Sequence, residues 1–150
     1  MNFSLEIGPK TELDNLPALK DVYITMLPGG DYKDTAEQAS KLVKKGLNPI
    51  PHFPARSIEN DIQLKEYVSR CKDVGVKQVL VIGGSREPIG SFDSSIQILE
   101  TGYFEKMKIG IAGHPEGSPD ISDSKLEKAM KDKKPYADYI VTQWLLDSQK

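Results

Sequence analysis

Apolar stretches alternate with helix-like stretches along this chain, and each apolar stretch runs into a short segment of Gly, Pro and polar residues. Six such apolar stretches are present. They begin at Phe3, Val22, Pro49, Val79, Ile109 and Tyr139. A repeated strand–loop–helix order is typical of parallel sheets, in which the loops that follow the strands gather at one edge. The pattern therefore predicts an α/β fold whose functional residues lie at the carboxyl ends of the strands.

Start and stop signals predict four helices between these strands. They run from Thr35 to Gly46, from Asn60 to Gly75, from Asp93 to Glu100 and from Ser122 to Lys134. Thr35–Gln38 has the spacing of a capping box, and Pro135 stops the last helix. Between Pro9 and Asp21 there is room only for a turn or a single helical turn.

The length of the chain bounds the architecture. At 150 residues it is one domain, covering residues 1–150. A TIM-type (β/α) barrel has eight units and usually needs about 250 residues. We therefore expect an incomplete barrel with about six of the eight βα units, and an open sheet is the alternative.

Composition excludes several classes of protein. Apolar residues make up 38% of the chain and charged residues 28%, which is ordinary for a globular protein. A net charge of −2 argues against binding nucleic acid through its phosphates. Cys71 is the only cysteine, so no intramolecular disulfide forms, and no apolar run reaches the length of a membrane span. We expect a cytoplasmic protein with neither a membrane nor a nucleic-acid partner.

Strand periodicity separates two faces of the predicted sheet. In the first strand the odd-numbered residues of 3–7 are apolar and share one face, whereas Glu6 lies on the other. The same alternation in the second and sixth strands sets Thr25 and Gln143 opposite the larger side chains. If the larger side chains pack under the helices, then Glu6, Thr25 and Gln143 point into the barrel interior. A carboxylate, a hydroxyl and an amide that converge there predict a binding site.

Glu6 is the strongest candidate for chemistry. Its neighbours Leu5 and Ile7 predict partial desolvation of the carboxyl group, which suits it to general acid catalysis. The alternative is a structural ion pair with a Lys across the barrel. His52 and His114 each end a predicted strand, where they either bind a ligand or cap their own loops.

The sequence bears on two further kinds of site, an anion site and a metal site. Gly83-Gly84-Ser85 follows an apolar strand and could form a backbone anion nest, although glycines at a strand end more often serve a turn. Both His residues with Glu6 and Glu116 could hold a metal in principle. Because the sequence has no His-x-His and no Cys pair, it predicts no metal site.

An ordered set of motifs resembles the methylenetetrahydrofolate reductase family. The set comprises Phe-Ser-Leu-Glu-Ile-Gly-Pro-Lys-Thr at 3–11, Thr25, Pro51-His52, Arg-Glu-Pro-Ile-Gly-Ser-Phe-Asp at 86–93, Gly-His-Pro-Glu-Gly-Ser-Pro at 113–119 and Ala-Asp-Tyr-Ile-Val-Thr-Gln at 137–143. These motifs span essentially the whole chain in the family's order.

The resemblance implies a (β/α) barrel that reduces 5,10-methylenetetrahydrofolate with electrons from NAD(P)H, usually through FAD. Glu6 would be the acid that helps to open the five-membered ring of the folate, and Gln143 would hold the pterin edge. The residues that would line the flavin are Thr25, His52, Gly83, Gly84, Ser85 and His114. Lys131 would approach a flavin phosphate.

The sequence departs from the family pattern in two places. Ser85 stands where the family has an Asp near the flavin and the folate, so a negative charge is lost there. Strands seven and eight, which help to form the folate face, have no counterpart.

These departures leave three alternatives open. One is a folate-dependent protein of one-carbon transfer or demethylation. Another is a non-catalytic partial barrel that assembles with a second copy or another chain. The third is an unrelated open α/β sheet that binds a phosphate-bearing ligand at its strand ends.

Overall fold

The computed structural model describes residues 3–119 and 121–142. Its strands are β1 (Leu5–Ile7), β2 (Asp21–Ile24), β3 (Asn48–Pro54), β4 (Gln78–Ile82), β5 (Lys108–Gly113) and β6 (Tyr139–Thr142). Its α-helices are α1 (Tyr32–Lys44), α2 (Asp61–Asp73), α3 (Ser95–Leu99) and α4 (Asp123–Lys133). Single 3-10 turns cover Ala55–Ser57 and Lys134–Tyr136.

The sheet has the simplest possible parallel order. The six strands lie in the order β1-β2-β3-β4-β5-β6, and every neighbouring pair is parallel. A doubly wound open sheet reverses its strand order at a switch point, whereas consecutive parallel neighbours are the connectivity of a (β/α) barrel. The predicted α/β class and the six strands are confirmed.

The sheet is strongly curled. The side chains of Tyr23 on β2 and Tyr139 on β6 interact with each other, although three strands lie between them. Four steps of about 4.8 Å would separate these strands by about 19 Å in a flat sheet, too far for two tyrosines to bridge from a common face. The six strands therefore form a half-barrel, with the two tyrosines on its concave face.

The hydrophobic core lies between the convex face of the sheet and the helices. The strands contribute Ile7, Val22, Ile24, Phe53, Val79, Val81 and Ile111, all buried. Phe53 stacks on Tyr67 of α2 with ring centroids 4.0 Å apart and meets Phe104 edge-on at 5.0 Å. This aromatic group fixes α2 over the centre of the sheet.

The start of α1 differs from the prediction. Asp31 is the N-cap, and its side chain accepts a hydrogen bond from the backbone N–H of Lys33 at 2.9 Å. Thr35 and Gln38 are buried inside the helix instead of capping it. The Thr35 hydroxyl donates to Thr25 O at 3.4 Å, and Gln38 Nε2 donates to Thr11 O at 2.7 Å. The capping-box prediction was wrong because both side chains attach the helix to the sheet and to the 8–20 loop.

The other predicted boundaries agree closely with the structure. Asn60 caps α2 by accepting from the backbone N–H of Gln63 at 2.9 Å, and Gly75 follows the helix with φ +96°. Residues 8–20 contain no helix, as expected. Helix α4 has no fully buried residue, so its packing on the sheet is the loosest of the four described helices.

The predicted packing of β1 is correct only in part. Ile7 is buried and Leu5 is partly buried, but Phe3 is 55% exposed. Phe3 precedes the strand and lies outside the core, so its predicted place under the helices was wrong. Among the described helices, none has both the length and the apolar composition of a membrane span.

Candidate functional site

Strand register sets out the concave face in rows. Glu6 on β1 pairs with Tyr23 on β2. The next row toward the carboxyl ends runs from His52 through Leu80 and Gly110 to Tyr139. Thr25, one residue beyond the Ile24–Pro51 pair, continues it toward β1. We call Glu6, Tyr23, Thr25, His52 and Tyr139 the concave-face cluster.

The structure brings together two residues that the sequence had singled out separately. Glu6 Oε2 lies 3.7 Å from His52 Nε2. The side chain of Glu6 is 62% exposed, whereas that of His52 is 9% exposed. The expected desolvation of Glu6 is therefore wrong for the free protein, because its carboxylate points from the open concave face into solvent. The alternative, an ion pair of Glu6 with a Lys, is not found among the described residues, where the neighbour of the carboxylate is the His52 imidazole.

His52 is a buried imidazole with one unused polar atom. Its Nε2 is shielded from solvent and has no hydrogen-bond partner in residues 3–119 and 121–142. Burial lowers the pKa of His52 from 6.5 to about 4, so the ring is neutral at physiological pH. Its backbone is held from the convex side, where the Tyr67 hydroxyl donates to His52 O at 3.0 Å. Buried polar atoms are usually hydrogen-bonded, so this nitrogen marks a place where a ligand can bind.

Thr25 joins the ends of the first two strands. Its backbone N–H donates to Ile7 O at 2.9 Å, and its hydroxyl approaches the same carbonyl at 3.3 Å. Its own carbonyl accepts from Thr35 of α1. Thr25 is partly buried and lies one residue beyond the Ile24–Pro51 register pair, next to His52.

Sequence reasoning missed the two tyrosines of the concave-face cluster. Tyr139 extends from β6 over Gly110, and its hydroxyl donates to Val79 O of β4 at 3.1 Å. Tyr23 packs edge-on to His52, with ring centroids 6.0 Å apart. The pKa of both tyrosines is raised, and burial is the largest cause of this shift. A glycine inside a strand often marks a close approach, and Gly110 is the signal that could have revealed Tyr139.

A polar network continues from the tyrosines toward the amino ends of the strands. Asn48 Nδ2 donates to Asp21 Oδ1 at 2.9 Å and to Gln78 Oε1 at 3.2 Å. Gln78 in turn interacts with Tyr139. These contacts link β2, β3, β4 and β6 on the amino-terminal side of the concave face.

The Gly83-Gly84-Ser85 turn belongs to a rim that joins two loops. Gly83 O accepts from Arg56 N at 3.0 Å, and Arg56 O accepts from Ile89 N at 3.1 Å. Gly84 has φ +95°, and a Cβ there would contact the Cβ atoms of Pro54 and Arg56. Ser85 is exposed. The loops after β3 and β4 are thus bound to each other at the carboxyl edge of the sheet.

The remaining predicted site residues lie away from the concave-face cluster. His114 is exposed on a turn closed by a hydrogen bond from Gly117 N to His114 O at 3.0 Å. Lys131 is 73% exposed on α4 and forms an ion pair with Glu127 at 2.8 Å, which raises the pKa of the lysine. Gln143 lies outside the described residues.

Two grooves among the described residues lie elsewhere than the concave-face cluster. One of about 460 Å³ separates α4 from the ends of β5 and β6, with Leu126, Met130 and Ile140 in its lining. Lys133 also lies in its lining. Burial lowers the pKa of this lysine, and its Nζ donates to Ala112 O at 3.5 Å. The other, of about 510 Å³, separates the 9–14 loop from α1. The open concave face is the better candidate because it holds the buried imidazole beside a carboxylate.

Metal ligation has no support in the described part of the chain. No group of three or more His, Cys, Asp or Glu side chains there could hold a metal ion. Glu6 and His52 supply two potential ligands and no third.

Comparison with known proteins adds little. No protein-family model matches the chain. Among solved structures, it is similar to the YdjI aldolase from Escherichia coli K12, with 14% identity over 85% of this chain and a TM-score of 0.48. The chain spans 44% of the length of that aldolase. A likeness this remote carries no argument about the activity of the chain.

Proposed function

We propose that this chain is an oxidoreductase of one-carbon metabolism that reduces 5,10-methylenetetrahydrofolate to 5-methyltetrahydrofolate with NAD(P)H. Its half-barrel would correspond to about six of the eight units of a TIM-type (β/α) barrel. The substrate would bind on the concave face from the carboxyl edge.

One observation carries this proposal. Glu6, Thr25 and His52 come from three different strands, and the motifs that resemble the reductase family contain all three. The fold gathers them on one face, with Glu6 Oε2 3.7 Å from His52 Nε2 and Thr25 next to His52 in register. Polar residues from neighbouring strands that meet on one open face can bind a common ligand.

The chemistry assigned to Glu6 follows from what a bound ligand would do to it. A folate that covers the carboxyl group displaces its water, and this favours the protonated form. Glu6 then gives its proton to the ring nitrogen that leaves as the five-membered ring opens. A hydride adds to the resulting iminium carbon to give the methyl group, and NAD(P)H becomes NAD(P)⁺.

The neutral imidazole of His52 has a complementary role. Because burial keeps it uncharged, it adds no positive charge that would hold Glu6 in its ionised form. Its Nε2 can accept or donate one hydrogen bond to a ligand ring. His52 therefore orients the ligand beside the carboxyl group instead of competing for the proton.

Of the residues that would bind FAD, His52 and Gly83 lie where a flavin ring would enter at the carboxyl edge, whereas His114 and Lys131 lie away from the concave-face cluster. His52 offers a buried polar atom, and a Cβ at Gly83 would meet no atom within 4 Å, so the edge is open there. Lys131 would have to leave Glu127 to reach a phosphate, and breaking an exposed ion pair costs little. When bound, FAD relays the hydride that NAD(P)H supplies.

The decisive experiment combines folate turnover with cofactor binding. The purified chain is mixed with 5,10-methylenetetrahydrofolate and NADH or NADPH, with and without FAD, and nicotinamide oxidation is followed at its absorbance band. We expect turnover in the wild type, its loss in Glu6→Gln with flavin binding retained, and no change in Glu12→Gln, an exposed carboxylate outside the cluster.

Two results would contradict the proposal. Full turnover in Glu6→Gln would show that Glu6 is not the general acid. A wild-type chain that binds folate without oxidising NAD(P)H would instead favour the folate-dependent transfer reading, in which Ser85 in place of an acidic residue reflects a different reaction.

A second candidate is a partial-barrel subunit, favoured by the exposed sheet edges. In residues 3–119 and 121–142, β1 and β6 each pair with only one neighbour. Apolar side chains are exposed beside both edges, namely Phe3 and Ile140. Unpaired edges of this kind promote association. Sedimentation velocity would show a stable oligomer if this is correct, and a monomer at micromolar concentration would contradict it.

A further inference from the structure

A chain of side-chain contacts joins the last described strand to the Glu6–His52 pair. Tyr139 crosses β5 above Gly110 and donates to Val79 O at 3.1 Å. Its hydroxyl also interacts with that of Tyr23 on β2. Tyr139 is therefore attached to β4 and β2 at once, although it belongs to β6.

Tyr23 connects Tyr139 to His52, because its ring packs against the imidazole. The two rings meet edge-on, with centroids 6.0 Å apart and planes inclined at 68°. The other polar groups that face His52 are the Glu6 carboxylate from β1 and the Tyr67 hydroxyl of α2, which binds only its backbone carbonyl. Its register neighbour on β4 is the apolar Leu80. The Nε2 atom has no hydrogen-bond partner in the described chain, so packing against Tyr23 contributes to the orientation of the ring.

The tyrosine pair also limits the depth of the site. Both hydroxyls meet on the amino-terminal side of His52, where Gln78 and Asn48 extend the network. A ligand that enters from the carboxyl edge reaches His52 before it reaches this layer.

We infer that Tyr139 is a positioning residue, which acts through Tyr23 to fix the imidazole of His52 against the carboxylate of Glu6 and closes the floor of the site. This rests on the proposed function only in naming Glu6 as the acid. The geometry itself can be tested in the free protein, without folate or flavin.

Tyr139→Phe is the sharpest test because it keeps the ring over Gly110 and removes only the hydroxyl. The chain has just two histidines. In ¹⁵N-detected imidazole spectra, the exposed His114 provides an internal reference for the buried His52. We expect the His52 titration midpoint in Tyr139→Phe to move from about 4 toward 6.5 as water reaches the ring, while His114 stays unchanged.

A matched control and a kinetic readout separate positioning from stability. Tyr136→Phe removes a hydroxyl only three residues away, in the turn before β6, and should leave both imidazole signals unaltered. In the folate assay we expect Tyr139→Phe to lower kcat about tenfold or more with little change in KM, since misplacement of reacting groups acts mainly on the chemical step.

The same experiments can overturn the inference. Unchanged His52 signals in folded Tyr139→Phe would contradict it. If that variant does not fold, Tyr23→Phe breaks the same hydroxyl contact from the other strand, and an unchanged His52 there would be equally decisive. Absence of folate turnover in the wild type would contradict the proposed reduction. It would not bear on the positioning of His52, because the spectra report that independently.

Discussion

The aromatic ring of Tyr139 occupies the space that a side chain at Gly110 would need. The two residues are register partners on β5 and β6, and a Cβ built on Gly110 would overlap Cζ and the hydroxyl of Tyr139. The missing side chain on one strand is thus what allows the phenol of the next strand to reach β4 and β2. The floor of the candidate site depends on this pairing of the smallest residue with a large one.

Gly110→Ala should therefore destabilise the fold. Either the ring leaves its place and its hydrogen bonds are lost, or the strands separate, and overpacking of this kind costs about 1–3 kcal/mol in the free energy of unfolding. Urea unfolding followed by circular dichroism measures the change. Gly83→Ala is the matched control, because a Cβ there meets nothing within 4 Å, and it should alter stability by a few tenths of a kcal/mol. Equal stability of the two variants would contradict the contact.

Acid should destabilise the protein through His52. The pKa of this imidazole is about 4 in the folded chain and near 6.5 when unfolded, so between these values the unfolded state binds more protons. Stability is retained above pH 6.5 and falls as the pH drops toward 4, by up to about 3 kcal/mol. The Glu6 carboxylate favours the protonated ring, which makes this figure an upper limit.

Thermal unfolding of His52→Gln across this pH range is the direct check. The variant should lose the pH dependence between 6.5 and 4 that the wild type shows, whereas His114→Gln should retain it. An identical pH profile in the wild type and His52→Gln would show that His52 is solvated in the folded chain.

Cys71 should be unreactive in the native protein. Its side chain is fully buried on α2, and burial raises the pKa of the thiol to about 12, so almost no thiolate is present at pH 8. Ellman's reagent should leave the folded chain unmodified and react with one equivalent in urea. Rapid native labelling would mean that α2 opens readily from the sheet.

The 8–20 loop should become more mobile when its hydrogen bond to Gln38 is removed. Gln38 Nε2 donates to Thr11 O at 2.7 Å, and Gln38→Met keeps the volume while leaving that carbonyl unsatisfied. We expect a loss of about 1 kcal/mol and faster tryptic cleavage after Lys10 and Lys20. Glu37→Gln changes the exposed neighbouring side chain and should alter neither property. Equal cleavage rates in the two variants would argue against the anchor.

Local signals in the sequence predicted most of the fold. Asn60 and Gly75 mark the ends of α2 because capping and left-handed glycine depend on a few adjacent residues. Thr35 was wrongly predicted as a cap because the prediction used only the local spacing of a capping box. The burial of Tyr32 extends the helix back to Asp31. A local motif cannot show which neighbouring turn the core requires.

The site was harder to predict because its contacts cross the half-barrel. The alternation of apolar and polar residues correctly placed Glu6 and Thr25 on the face opposite the larger side chains. The motif resemblance pointed to His52. Neither could show that the sheet curls enough for β2 and β6 to touch, which is what brings Tyr23 to Tyr139. The exposure of Glu6 escaped prediction as well, because flanking apolar residues say nothing about how open the facing side is.

The consecutive strand order has a consequence for how the chain acquires its structure. Each strand pairs with the one made just before it, so every pairing in the described sheet joins consecutive βα units. During synthesis from the amino terminus, β3 and β4 with α1 and α2 can form before β5 and β6 leave the ribosome. The Tyr23–Tyr139 contact is the exception, since it joins the second strand to the sixth. It forms last, so the site becomes complete only after the rest of the described sheet has formed.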